Sequence, residues 1–224
     1  MVGGSVGYFI GHRIKDSIRT IVVQVIGLAT LVMGISNVMD THNLVFPLVG
    51  MVLGAIIGEL LRIEDRLESL GEVLRKRFAK GSGDESTFVQ GFVTATLLFC
   101  VGPMTLLGAI QNGLTGDASL LFLKATLDGL SAIALTSSFG VGVGFSVLVI
   151  LLYQGGVALL AGTLSQALPD PAQDPRVLLV TGVGGLMILG IGINLLGLTR
   201  VRVASFLPAL LLAPLVWALA DRLG

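Results

Sequence analysis

Runs of about 20 mostly apolar residues, separated by short polar breaks, dominate the pattern of this chain, and each run is long enough to cross a bilayer as a helix. They fall at residues 20–38, 44–61, 87–111, 118–136, 142–167, 177–197 and 203–220. An eighth run, residues 1–12, is too short to span and reads as the end of a helix that starts ahead of this chain. The one long polar stretch is 62–86, which holds 12 of the 28 charged residues. Within it Leu67, Leu70, Leu74 and Phe78 recur at helical spacing, and Glu72 pairs with Lys76 at i,i+4. That pattern predicts an amphipathic helix on the membrane surface, ended by Gly81-Ser82-Gly83. The expected architecture is one all-α transmembrane domain over 1–224, a bundle of seven to eight membrane-spanning helices with 62–86 as a surface segment.

Composition strengthens this reading. The chain is 54% hydrophobic and only 12% charged, against about 25% charged in soluble domains. Its 31 glycines suit helices that pack backbone to backbone in lipid. Net charge is zero, so no nucleic-acid or polyanionic partner is expected, and the single Cys100 excludes an internal disulfide. Threading the helices through a bilayer puts 12–19, 62–86, 137–141 and 198–202 on one side, with 11 of the 14 Lys and Arg residues. Lysine and arginine stay cytoplasmic, so this side is expected to face the cytoplasm of a bacterial inner-membrane protein.

Gly27-Leu28-x-x-Leu31-x-x-Gly34-Ile35 matches Gly185-Leu186-x-x-Leu189-x-x-Gly192-Ile193 in a helix of opposite direction. An inverted repeat of this kind is common in secondary transporters, although glycine and leucine also recur by chance in so rich a chain. Asp128 lies near the middle of the 118–136 helix, where a charge costs about 2.5–3.5 kcal/mol even on gentle insertion scales. Lys124 stands four residues earlier on the same face. The pair is either a structural tie between helices or a site that couples or gates transport. Gly102-Pro103 interrupts the third long helix and predicts a kink or break near Cys100 and Val101. Backbone freed at membrane depth is tolerated around a cavity. Gln154 and Asn194 are candidate cavity-lining amides, each of which could equally serve an interhelical hydrogen bond. Gln111 and Asn112 precede a turn at 113–117. The Gly140–Gly144 run could present N–H groups to an anion, but no βαβ unit surrounds it as a nucleotide fingerprint would need.

Two ridges, Gly3/Gly7/Gly11 and Gly50/Gly54/Gly58, predict close helix packing, within the chain or across a homo-oligomer. No catalytic triad, metal cluster or carboxylate pair is evident, and His12 and His42 fall on opposite sides. Neither an enzymatic activity nor a cofactor is expected.

The stretch Phe88–Gly102 and the motifs Gly108-x-x-Gln111-x-Gly113-Leu114-x-Gly116-Asp117, Lys124-x-x-x-Asp128-Gly129 and Tyr153-Gln154-Gly155 resemble a bacterial membrane family, the YqgA/YdfK-like proteins, which have no assigned function. Gly58-Glu59 and Asn194–Leu198 extend the resemblance to nearly the whole chain. Members usually open with a longer first helix, so the resemblance implies that this chain begins inside it. It supports the fold and brings no substrate. The expected function is a secondary transporter of a small solute or ion, with a channel, or a non-transporting scaffold or sensor acting through 62–86, as alternatives.

Overall fold

A computed structural model describes residues 4–5, 7, 15–41, 43–79, 85–161, 170 and 172–223. Its helices are α1 (Asp16–Met39), α2 (Val45–Leu60), α3 (Ile63–Phe78), α4 (Glu85–Cys100), α5 (Pro103–Thr115), α6 (Ser119–Phe139), α7 (Gly142–Leu159), α8 (Pro175–Leu195) and α9 (Ala209–Leu223), with a 3-10 turn at Val203–Phe206. Among the described residues every regular element is helical. Five helices are long and apolar enough to cross a membrane, and two bent pairs, α2–α3 and α4–α5, raise the number to as many as seven. The predicted spans thus reappear, with two refinements. The last run opens as the 3-10 turn and becomes α-helix only after Pro208. Of the run 142–167, residues 162–167 lie outside the described part, as do most of 1–12, His42 and the Gly81–Gly83 stop.

Local chemistry sets the helix ends. Asp174 caps α8 by accepting from the Arg176 N–H at 2.8 Å, with Pro175 in the first turn. The predicted turn after α5 forms at Gly116 (φ 73°), and the Asp117 carboxylate accepts from Ser119 N–H at 2.9 Å and from Gln111 Nε2 at 2.6 Å. Between α2 and α3, Arg62 is the one non-glycine with positive φ among the described residues (φ 51°). That residue turns the chain by 56°, so α3, with its eight charged residues, leaves the direction of α2.

The most enclosed helix is α8, which buries Val183, Met187, Ile188 and Ile191. Helix α1 crosses it on the two copies of the sequence repeat. A Cβ built on Gly34 would stand 2.9 Å from the Gly185 carbonyl oxygen, and one on Gly192 would stand 3.1 Å from that of Gly27. As numbers rise on α1 they fall on α8, so the helices are antiparallel and each repeat lies across the other. The Gly50/Gly54/Gly58 ridge is filled by Ala213 and Ala209 of α9 and by Ser205 of the 3-10 turn, all in the same chain. Gly7 meets Ile133 and Thr136 of α6. Among the described residues, Gly7 and the Gly50/Gly54/Gly58 ridge thus pack within the chain.

Helix α7 measures the depth of the broken helix. Its first residue, Gly142, packs on Phe88 near the start of α4, and Ala158 near its end packs on Gly113 of α5. The α4–α5 pair therefore traverses the same depth as α7 and is a bent span rather than a re-entrant loop. One end of the bundle then gathers the start of α1, the α2–α3 corner, the start of α4, the α6–α7 turn and the α8–α9 connection. This is the charged end, the grouping expected from the Lys and Arg distribution.

Candidate functional site

The break falls where proline and glycine place it. The α4–α5 pair bends by 60°, with Val101 and Gly102 outside both helices and Pro103 opening α5. Thr105, fully buried, donates its hydroxyl to the Phe99 carbonyl at 3.2 Å and so satisfies an acceptor freed by the break. Against this break lies α6. The Lys124 ammonium is hydrogen-bonded to Asp128 and stands 6.0 Å from the centre of the Phe99 ring. Lys124 and Asp128 are both within electrostatic reach of Cys100, and Cys100 is within reach of Tyr153 on α7. The structure thus unites Cys100, Gly102, Pro103, Lys124 and Asp128, and adds Phe99, Thr105 and Tyr153. An i,i+4 spacing signalled the ion pair, but no sequence signal marked Phe99 or Thr105 as its surroundings.

The two partners differ in surroundings. The Lys124 side chain is 9% exposed and that of Asp128 30%, beside the outward-facing Leu127 and Leu130. A buried ammonium in an apolar bundle needs its counter-charge, whereas Asp128 sits at an opening of the packing. Gln154 is half-buried on α7. Neither Asp128 nor Gln154 lines any of the three cavities described here.

The largest of these cavities, about 810 Å³, opens at the charged end. Glu64, Glu68 and Glu72 of α3 form one wall, Gln90 and Thr94 of α4 another, and Asn194 and Arg200 the third. A neighbouring cavity of about 460 Å³ shares Gln90 and Asn194 and reaches Arg19 and Ser138. Thr94 is the deepest of the lining residues along α4, six positions before Cys100 or about 9 Å along the helix axis. Asn194 lines the cavity, as expected, but its amide is also engaged in fixing the α8–α9 connection. It donates to the Val201 carbonyl at 2.8 Å and accepts from Val201 N–H at 2.7 Å.

That connection is tied to the α2–α3 corner by charge. Arg202 reaches Glu59 at 2.5 Å and Asp65 at 2.6 Å, and Arg200 reaches Glu68 at 2.5 Å. Glu64, buried, accepts from the Ala204 N–H at 2.7 Å. Burial pushes the Glu64 pKa up, opposed by that N–H, raised further by Glu68 and lowered by Arg200 and Arg202. A carboxyl whose pKa is raised on folding binds its proton more tightly in the folded state. Its contribution to stability is therefore full below the ordinary carboxylate range and lost as pH rises through the raised value. Glu64→Gln is expected to melt above the wild type near neutral pH and to lose that advantage in acid. Thermal denaturation of both proteins in detergent across this range checks it, and a difference that ignores pH refutes the assignment.

The fold and this site define a polytopic helical membrane protein, built around a broken spanning helix and an intramembrane ion pair. Residues 1–218 match the family described as "Protein of unknown function (DUF554)", and the chain belongs to that family. It is 30% identical over 220 residues to the "Uncharacterized membrane protein YdfK" of Bacillus subtilis (strain 168), covering 96% of this chain and 90% of that protein. It is 32% identical over 217 residues to the "Uncharacterized protein YqgA" of Escherichia coli (strain K12), covering 95% and 90%. No solved structure matches.

Proposed function

We propose that this protein is a secondary transporter of a small solute or ion, without enzymatic activity, in the plasma membrane of a bacterium. The observation that carries the reading is the Lys124–Asp128 pair on one spanning helix, packed against the break in another. Ionisable groups at this depth are expensive and are retained where they serve a pathway. A broken helix supplies free backbone groups that can bind a solute or ion at mid-membrane. In this reading the polar cavity at the charged end, which reaches Thr94 on α4, is the approach toward that break. In the proposed roles Asp128 couples or gates, Lys124 is its counter-charge, and the backbone at Gly102 and Pro103 with Cys100 shapes the midplane site. Gln90, Thr94 and Asn194 line the approach, and Gln154 contributes a half-buried amide on α7. The charged end is cytoplasmic in this reading, because loops rich in Lys and Arg are retained there.

The test is flux in proteoliposomes, with sodium, potassium, protons and a panel of small labelled solutes offered in turn. Saturable uptake lost in Asp128→Asn, and also lost in the uncharged double variant Lys124→Met/Asp128→Asn, supports transport. Current that rises linearly with voltage and does not saturate with concentration would instead establish a channel. Flux unchanged in both variants would remove Asp128 from the mechanism.

A further inference from the structure

The two sides of α3 differ in their balance of charge. Glu64, Glu68 and Glu72 face the cavity, and Asp65 meets Arg202. On the other side, Arg62, Arg66, Leu70, Val73 and Arg77 fall within an arc of about 80° at 3.6 residues per turn. All five are exposed, Leu70 by 44% and Val73 by 57%. Two other arginines at this end are paired, Arg200 with Glu68 and Arg202 with Glu59 and Asp65. Arg62 and Arg66 make no side-chain hydrogen bond or ion pair with a described residue, and Arg77 lies only over the Phe78 ring, 5.7 Å from its centre.

Arg62 and Arg66 stand at i,i+4, where like charges repel unless an anion lies between them. The stripe also continues a lipid-facing surface: it begins where the exposed Ile56, Leu60 and Leu61 of α2 end. Guanidinium groups alternating with apolar side chains, at the end of a membrane span, match a phosphate headgroup above acyl chains. On the cavity side Glu64, Asp65, Glu68 and Glu72 outnumber Arg75 and Lys76, which disfavours the same headgroup there.

We propose that the outer side of α3 binds anionic phospholipid, with Arg62, Arg66 and Arg77 on the headgroup phosphates and Leu70 and Val73 among the acyl chains. Because α3 is also a wall of the cavity, the bound lipid holds that wall at the level of the membrane surface. This does not depend on the protein being a transporter.

The test is equilibrium binding of fluorescent phosphatidylglycerol and phosphatidylcholine to the purified full chain in detergent. Each surface Lys or Arg near an anionic membrane contributes about fivefold, so a preference for phosphatidylglycerol of roughly tenfold or more is expected. Arg62→Gln/Arg66→Gln/Arg77→Gln should abolish it, while Lys76→Gln, on the side where Lys76 pairs with Glu72 at 3.5 Å, should not. Equal affinity for the two lipids overturns the proposal, as does a preference that survives in the triple variant. Displacement of the lipid by glycerol phosphate alone also overturns it, since a chain-free phosphate would then suffice. Should the triple variant fail to fold, the wild type decides. Its preference must collapse in about 0.5 M salt, where screening is within a few ångströms, and persistence there overturns the proposal.

Discussion

Asp128→Asn and Lys124→Met are each expected to lower the melting temperature sharply, and Lys124→Met/Asp128→Asn to recover most of the loss. Each single substitution strands one charge among apolar side chains, and breaking a buried pair in this way costs about 3–5 kcal/mol. Lys124 is the more deeply enclosed partner, so Asp128→Asn, which strands the ammonium, should be the worse of the two. Lys124→Met leaves a carboxylate that still reaches an opening, and its effect should fall near the low end of that range. The double variant carries no charge and fills similar volume. Size-exclusion chromatography and thermal denaturation in detergent measure all four proteins. Single variants as stable as the double would mean that the pair is solvated in the bilayer. A folded double variant that retains flux would separate the ion pair from transport altogether.

Gly34→Val and Gly185→Val are expected to yield no monodisperse protein. The obstacle at both positions is backbone. A Cβ on Gly185 would lie 2.8 Å from the Gly34 carbonyl oxygen and 2.8 Å from the Val38 nitrogen, and neither can turn aside as a side-chain tip could. Overpacking a core ordinarily costs 1–3 kcal/mol, and separation of two helices along their whole crossing should exceed about 3 kcal/mol. Gly155→Ala provides the contrast, since nothing stands within 4 Å of a Cβ there. In that open helical position alanine should be neutral or stabilising by up to about 1 kcal/mol. Comparable losses at Gly155 and Gly34 would contradict the packing described for α1 and α8.

These glycines show what the sequence can and cannot reveal. The repeat at Gly27 and Gly185 was legible as a string of matching positions, but not the fact that its two copies pack on each other. Gly-x-x-x-Gly spacing marks a surface ready for close approach and carries no address. Only the fold shows that Gly50 and Gly54 meet α9 and Gly58 the 3-10 turn before it, whereas a Cβ on Gly144 or Gly155 would meet nothing within 4 Å. The break at Gly102-Pro103 and the Lys124–Asp128 spacing were legible because proline geometry and the cost of buried charge act locally. The cavity at the charged end was not. It depends on α3 folding back beside α4, and the residue that starts the fold-back, Arg62, is not of a type that advertises a positive φ. Asn194 was found for its polarity, but its bonds to Val201 depend on a loop whose path no periodicity describes.

The crossing of α1 and α8 also bears on motion. Interdigitated leucines lock two helices like gear teeth, and a shift requires several rotamers to release together. Where Gly27 and Gly34 face Gly192 and Gly185, backbone approaches backbone and the tips of Leu31, Leu189 and Leu196 seat in the gaps the glycines leave. Such a contact resists separation strongly, and the seated leucines also resist sliding, because a shift would drive them against backbone. The Leu31 and Leu189 side chains between the glycines act as its detents. The protein therefore holds, at its most enclosed helix, a crossing whose register is set by a few leucine tips seated on glycine.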